Sequence, residues 1–417
     1  MRTKICSSRL AVKPIRFLLS TVLLLVAFTA SDVHAQSEAG FHKWIKGYWP
    51  TARAAGVSAS TYNAAFAGVQ LDMSILKRAN NQAEFVKPIW SYLDGAVSAA
   101  RVKNGRKMKR KHGALLQKLE QAFGVDQHVL LAIWGMESAY GSIFSNKKLI
   151  KPTIQSLATL AYAGKRRSKF GQQQLLAALK ILQNGDVAPS GMVGSWAGAM
   201  GHTQFIPTTY LTKAYDFDGD GRRNIWTSIP DALASSANLL KTAGWETGKT
   251  WGYEIKLPRN FAFELADGKT SKTLAEWQKL GAKRVSGRAF PRPDDQAKLI
   301  LPAGYQGVAF LILKNFSVIK RYNNADAYAL GVGHLADQIR GGGSFAGQWP
   351  RSDRVLKRSE RKEVQTLLNK LGYDTGGVDG RLGSKSRGAI RHWQKRMGHV
   401  PDGFASGNLL EALRKGG

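Results

Sequence analysis

Ala132-Ile-Trp-Gly-Met-Glu-Ser-Ala-Tyr-Gly141 is the stretch on which the fold turns, because it closes a helix-period run that opens at Asp126. Asp126 is a fitting N-cap, and Val129, Ile133 and Met136 recur behind it at helical spacing, so a helix is expected over 126–137. The apolar spacing implies burial, with the carboxylate of Glu137 at the helix end. Apolar surroundings disfavour the charged form of a carboxylate, which suits Glu137 to donate a proton to a leaving oxygen. On spacing alone, a glutamate at a helix end is more often a capping or surface residue.

Moving outward, segments 153–163, 172–183 and 230–243 show the same helical period, with Thr153, Pro230 and Asp231 as start signals and Gly244 as a stop. Between 250 and 313 the pattern changes. Trp251-Gly-Tyr-Glu-Ile-Lys-Leu, Lys298-Leu-Ile-Leu-Pro and Gly307-Val-Ala-Phe-Leu-Ile-Leu have strand character. The expected class is therefore mainly α within an α+β arrangement: a helical core with a small β-containing subdomain. Glycines 341–343 and Pro350 mark a flexible joint, which divides a large domain over 36–345 from a linker at 346–352 and a small domain over 353–417. In that tail, Val364, Leu367, Leu368 and Leu371 predict one helix, Ile390, Trp393 and Met397 a second, and Leu409, Leu410 and Leu413 a third. Three short helices around one apolar centre make a viable module of this size. No internal repeat is evident.

Arg2, Lys4, Arg9, Lys13 and Arg16 precede an apolar run from Phe17 to Ala30 and then Val33-His34-Ala35, the pattern of an export signal over 1–35 cleaved after Ala35. An uncleaved membrane anchor is the lesser reading, since the run is short and interrupted. The single cysteine, Cys6, lies inside this leader, so the mature chain has no thiol for disulfides or metal. The formal net charge is +32 and stays strongly positive without the leader. In a cytosolic protein that surplus points to nucleic acid, but an exported chain meets the carboxylates of wall peptides instead. The densest basic run, Arg101, Lys103, Arg106, Lys107, Lys109, Arg110 and Lys111, reads first as a solvated helix face.

Asp216-Phe-Asp-Gly-Asp-Gly-Arg-Arg-Asn-Ile-Trp-Thr227 places oxygen donors at positions one, three, five and nine and glycine at six, the spacing of a calcium loop. Asp216, Asp218, Asp220, the Arg222 carbonyl and Asn224 are the candidate ligands. Position twelve is Thr227 in place of the bidentate glutamate, and Asp231 is close enough in sequence to supply that carboxylate. Calcium with a structural role is the one cofactor expected; no organic cofactor is indicated.

Four blocks in order carry a resemblance to lytic murein transglycosylases of the membrane-bound B type, a family with a lysozyme-like catalytic core. They are Gln82-Ala-Glu-Phe-Val-Lys-Pro-Ile-Trp-Ser-Tyr-Leu93, the Glu137 segment, Gly194-Ser-Trp-Ala-Gly-Ala-Met-Gly-His-Thr-Gln-Phe-Ile-Pro207, and Asn315-Phe-Ser-Val-Ile-Lys-Arg-Tyr-Asn-Asn324 with Tyr328 beyond. The resemblance implies cleavage between N-acetylmuramic acid and N-acetylglucosamine with 1,6-anhydro ends, Glu137 as acid and then base, and Ser195, Gln204, Tyr322 and Tyr328 as cleft residues. Tyr92 is carried over only by its distance before Glu137. A family metal loop falls at 216–227. The chemistry agrees, since glycosidic hydrolysis ordinarily uses two carboxylates and neither the Glu137 nor the Gly194–Pro207 block offers a second. The tail is similar to the peptidoglycan-binding module of wall hydrolases through Leu371-Gly-Tyr-Asp, Val378-Asp-Gly-Arg-Leu-Gly, Ala389-Ile-Arg-His-Trp-Gln and Pro401-Asp-Gly-Phe, with Trp393 expected in its core. The resemblance implies a periplasmic monomer acting on peptidoglycan glycan strands and not on nucleic acid, with any wall-synthesis or division partners unspecified. A hydrolytic muramidase and a catalytically silent wall-binding scaffold are the alternatives.

Overall fold

Asp126 caps the helix Gln127–Ser138, its carboxylate accepting the His128 N–H at 2.8 Å. Every residue from His128 to Gly135 is buried, so the helix has no solvent face. The expected stripe of Val129, Ile133 and Met136 understates this, and Met136 is itself only half-buried. The cause is tertiary: helices Ala99–Lys111, Gly113–Phe123, Ile229–Thr242 and Asp326–Arg340 all pack against it. A helix surrounded in this way is apolar all round. The computed structural model that shows this describes residues 37–80, 88–146, 148–163 and 167–416. The expected leader 1–35 and residues 82–87 of the first resemblance block lie outside the described residues.

The helices expected elsewhere form at Thr153–Ala163, Ser168–Gln183 and Ile229–Thr242, the second starting earlier than its sequence pattern. A two-residue pair, β1 (Lys151–Pro152) and β2 (Val193–Gly194), ties the start of one helix to the loop that follows another. The three expected strands appear as β3 (Gly252–Lys256), β6 (Gln296–Ile300) and β7 (Ala309–Ile312). With the short β4 (Ser271–Thr273) and β5 (Lys283–Arg284) they form an antiparallel sheet in the order β4-β6-β7-β3-β5. Trp251 fixes this sheet to the helical body. Its indole N–H donates to Asp337 Oδ2 at 2.9 Å, and its ring lies so close to Gly333 that a Cβ there would fall 2.6 Å from it. The fold is thus mainly helical with a small β subdomain and a helical tail module, the class the sequence predicts.

The tail helices Arg358–Lys370, Ser384–Arg396 and Gly407–Arg414 enclose Val364, Leu368, Ile390, Trp393, Leu410 and Leu413, with Trp393 2% exposed. Leu371 and Met397, expected on the same apolar faces, are 43% and 39% exposed because each follows the last turn of its helix. A repeat invisible in the linear pattern emerges here. Gln365 receives the Gly380 N–H at 2.8 Å and donates to Asp379, and Gln394 receives the Gly403 N–H at 2.8 Å and donates to Asp402. Both glycines have positive φ, +75° and +73°, as such turns require.

The two Asp-Gly turns differ in what lies outside them. Asp402 Oδ2 accepts the Tyr305 N–H of the β subdomain at 2.9 Å, and Gly304 is where a Cβ would meet that same oxygen at 2.6 Å. Val400 packs on the subdomain core, and Lys395 pairs with Glu264. The joint before the tail is also fastened. Phe345 stacks on His334 at 3.7 Å, Glu254 accepts the N–H groups of Ala346 and Gly347, and Arg351 pairs with Asp94 through two nitrogens. A flexible joint, expected from its glycines, is therefore corrected: neighbouring aromatic and acidic groups supply the order that the glycines themselves do not. Asp402→Ala should destabilise the docked tail by about 1–3 kcal/mol, since it strands the Tyr305 and Gln394 donors. Deleting 353–417 should lower the melting midpoint of what remains; a truncated protein that melts with the full chain would show the docking to be idle.

Candidate active site

The Glu137 helix ends abruptly. Ala139 and Tyr140 take left-handed backbone, φ +48° and +59°, followed by Gly141 at +86°. Two non-glycine residues in that region are costly, and the surroundings hold them there. Tyr140 donates its hydroxyl to Arg101 O at 3.0 Å, its ring fills the space a Cβ on Gly135 would need, and Ser138 Oγ accepts the Gly141 N–H at 3.1 Å. Arg101, a member of the basic run, is not simply solvated. Its guanidinium donates to the carbonyls of Ala96 at 2.6 Å and Gly135 at 3.1 Å, pinning the Glu137 helix. Arg106 likewise donates to Gln338 O, while Lys103, Lys107, Arg110 and Lys111 are exposed as expected.

Glu137 is half-buried, and Tyr328, on helix Asp326–Arg340, donates its hydroxyl to Glu137 Oε1 at 2.5 Å. Tyr322 stacks near-parallel to Tyr328, ring centroids 6.4 Å apart. Its own hydroxyl donates to Thr203 O at 3.1 Å and meets Ser236 Oγ at 2.8 Å. Burial first, and the Glu137 charge second, push both phenols well above their ordinary range. They remain neutral donors at any physiological pH. Tyr92 belongs to the same cluster: it interacts electrostatically with Tyr328, and its ring edge would lie 3.5 Å from a Cβ on Gly331.

The Gly194–Pro207 segment is a tight loop closed by bridges from Met200 to Gly194 and Phe205. Gly194 cannot bear a side chain, because its Cβ would sit 2.0 Å from Ala199 O. Ser195 Oγ accepts the Ala199 N–H at 3.3 Å, and Gln204, at φ +50°, donates its amide to Gly201 O at 2.9 Å. Both side chains bond within their own loop, which reaches the tyrosines through Thr203 and through the Phe205 ring against Tyr322. His202 accepts the Trp134 indole N–H at 3.1 Å, and burial depresses its pKa to about 4, so it stays neutral. Ser236 and Thr203 escaped the sequence reading. The one available signal was the pair Ser235-Ser236 inside an apolar helix.

Asp216, Asp218, Asp220 and Asp231 each bring a carboxylate oxygen within 4.8 Å of the others. Asp231 is fully buried at the start of helix Ile229–Thr242, where burial and the nearby Asp218 raise its pKa although the N–H groups of Phe217, Asn224 and Asp218 oppose the rise. Clustered carboxylates, one of them costly to ionise, are the donor set of a hard dication. Asn224 Oδ1 is engaged by the Trp226 and Thr227 N–H groups, and Thr227 bonds to Asn224. The aspartate loop also braces the Gly194–Pro207 segment: Ile225 O accepts the His202 N–H at 2.9 Å, and the Trp226 indole donates to Val193 O at 2.9 Å.

Residues 40–337 match the transglycosylase SLT domain, and residues 357–413 match a peptidoglycan binding domain. The chain is similar to the crystal structure of SltB3 from Pseudomonas aeruginosa in complex with NAG-anhNAM-pentapeptide, at 49% identity and TM-score 0.86, covering 90% of this chain and 99% of that one. The Escherichia coli lytic transglycosylase Slt35 in complex with calcium is similar at 25% identity and TM-score 0.58, over 73% of this chain and 93% of that one. Membrane-bound lytic murein transglycosylase B of Escherichia coli strain K12 is 29% identical over 280 residues, 64% of this chain and 74% of its relative. The first match runs from the opening helix through Tyr328, and takes in Glu137, the tyrosine pair, the Gly194–Pro207 loop and the aspartate loop: the chain belongs to the transglycosylase SLT domain family and carries a peptidoglycan binding domain behind it.

Proposed function

We propose that the chain is a lytic transglycosylase of the periplasmic wall in which Glu137 alone supplies acid and base. The observation that carries this reading is the hydrogen bond from the Tyr328 hydroxyl to Glu137 Oε1 at the end of a buried helix. Because Tyr328 donates to one carboxyl oxygen, the proton Glu137 must deliver resides on the other. Glu137 passes that proton to the oxygen of the N-acetylglucosamine leaving group as its bond to the muramic C1 breaks. The resulting carboxylate stabilises the positive charge at C1 and takes the proton of the 6-hydroxyl of the same sugar. That oxygen then closes on C1 to give the 1,6-anhydro end; no water is consumed, and Glu137 is again protonated. Tyr322 holds the ring of Tyr328, and Ser236 with Thr203 holds Tyr322. Ser195 and Gln204 shape the loop against which the sugar lies, and Tyr92 stands beside Tyr328 in the same cluster.

Calcium fits the aspartate loop on the chemistry of its donors and on the likeness to the calcium-bound Slt35 chain. Asp216, Asp218, Asp220, the Arg222 carbonyl, Asn224 and Asp231 are its proposed holders, and Asp231 takes the part of the glutamate that position twelve lacks. Export through a leader at 1–35, with cleavage after Ala35, completes the reading; among the described residues no helix is long and apolar enough to cross a membrane. The catalytic domain at 36–345 and the wall-binding domain at 353–417, joined at 346–352, work on peptidoglycan strands.

Glu137→Gln should fold normally and lose about 10²–10⁴-fold in turnover, the usual share of a general acid and base. Mass spectrometry of fragments released from purified sacculi should give ends one water lighter than hydrolysed ones; hydrated ends would establish the muramidase alternative. Tyr328→Phe removes the hydrogen bond to the carboxylate that Glu137 becomes as the bond breaks, worth about 1.5–3 kcal/mol, and should slow turnover roughly 10- to 100-fold with a displaced pH profile. A wild-type pH profile in that variant would remove Tyr328 from the mechanism. Millimolar calcium should raise the melting temperature, with about 2.7 kcal/mol gained at a hundredfold excess over the dissociation constant. Asp218→Ala with Asp220→Ala should erase that response; an equal rise in the double variant would place the ion elsewhere.

A further inference from the structure

Between the β subdomain and the docked tail lies a groove of about 630 Å³, walled on one side by Lys269 and Glu264 and on the other by Tyr373, Arg391, His392 and Lys395. Its size is that of a ligand site. Its charges are unevenly satisfied. Glu264 is paired with Lys395, and Asp374 with Lys385. Asp267, also on the wall, spends its oxygens on the N–H groups of Lys269 and Thr270 and on the Thr270 hydroxyl. Arg391 has no such partner. Its guanidinium is half-buried against Gly403, donates one long hydrogen bond to Ala266 O at 3.4 Å, and forms no ion pair among the described residues. Burial lowers its pKa and the Arg387 cation adds to the effect, while Asp267 and Asp402 oppose it. A guanidinium carries five donors in a planar fork, and one that spends so few of them on the protein is free to take a carboxylate through two parallel hydrogen bonds.

We propose that this groove binds the peptide stem of peptidoglycan, with a stem carboxylate on Arg391 and Lys269 and the adjoining peptide along the half-exposed Tyr373 ring. The inference rests on the reading of the chain as a wall enzyme and names which part of the wall the tail grips. Amide-linked, uncharged sugars offer Arg391 no counter-charge, whereas stem peptides carry free carboxylates and a peptide backbone suited to a polar groove. The groove has one wall from each domain, and the Asp402 contact with Tyr305 keeps the two walls together. A stem held there fixes its strand relative to the catalytic body, which a freely tethered module could not do.

The test is calorimetric titration of the full-length Glu137→Gln protein with free stem peptide and, separately, with uncharged N-acetylglucosamine oligomers, whose binding should not change in the groove variants. Stem peptide should bind saturably, and Arg391→Gln with Lys269→Gln should weaken it by about tenfold or more. Lys269→Gln alone, on the exposed wall, should weaken it in the same direction without risk to the fold. Lys43→Gln, an equal charge change on the helix Glu38–Ala54, should leave the affinity unchanged. Absence of stem binding, an affinity untouched by the groove variants, an equal loss in Lys43→Gln, or displacement by inorganic phosphate at equal concentration would each overturn the proposal. Catalysis is scored apart, by anhydro ends from stem-free glycan cut by the Glu137 protein. Stem binding without anhydro product would uphold the groove and refute the catalytic reading alone.

Discussion

Two antiparallel helices are clamped to each other at both ends, and the Glu137 carboxyl is one of the clamps. At one end Asp126, the cap of the Glu137 helix, meets Arg340 in the last turn of the Tyr328 helix; at the other, Glu137 accepts the Tyr328 hydroxyl. Burial pushes the Asp126 carboxyl up, but His128 and Arg340 outweigh it and hold the group below its ordinary value. A charged clamp at the N-terminal end suits the helix dipole, which favours an anion there, and the Arg340 cation sits near the C-terminal end of its own helix for the same reason. With register fixed at both ends, Glu137 and Tyr328 cannot slide apart. Between the clamps, Gly331 faces Met136 and Tyr92, which a Cβ there would touch at ordinary contact distances of 3.4 and 3.5 Å.

That rigidity explains how the left-handed turn at Ala139 and Tyr140 persists. The sharp exit leaves Glu137 in the last turn with its carboxyl against Tyr328. Such backbone strain costs of order 1–3 kcal/mol per residue, and it is offset by the buried Tyr140 ring and by Arg101 gathering three carbonyls around the helix. A Cβ on Gly135 would collide with Tyr140 at 2.6 Å, so this glycine and this tyrosine form one unit with the turn.

Much of this was legible in the chain, unevenly and for physical reasons. The cap at Asp126, the strands β3, β6 and β7 and the tail core come from short-range chemistry: side-chain oxygen on nearby N–H, alternation, and helical period. Glu137 stood out because a carboxylate ending an apolar helix is chemically odd, and the aspartate loop because its spacing is a coordination pattern. Tyr322 and Tyr328 required the family resemblance, as nothing local distinguishes a phenol that will meet a carboxyl 191 residues earlier in the chain. Ser236 and Thr203 were beyond reach, since their parts are defined only by the Tyr322 hydroxyl. The joint was misread because glycine content predicts freedom only where no neighbour removes it; Phe345 between His334 and Phe310 removes it here.

The aspartate loop and Tyr322 meet on one helix, which gives the loop a mechanical connection to the tyrosine pair. Asp231 is the first-turn acid of Ile229–Thr242, and Ser236, less than two turns later, bonds the Tyr322 hydroxyl. Asp231 also gathers the N–H groups of Phe217 and Asn224 at 2.8 Å, so the loop folds onto the helix start through the same carboxylate that a cation would use. A second connection runs through Ile225 and Trp226 to His202 and Val193, which flank the Ser195 and Gln204 loop. A dication bridging the four converging carboxylates would therefore firm two supports at once, that of Tyr322 and that of the Gln204 loop. Loss of the ion would be felt first as slackness in the supports of Tyr322 and only secondarily at Glu137, whose own clamps to Tyr328 and, through its helix, to Arg340 do not pass through the loop.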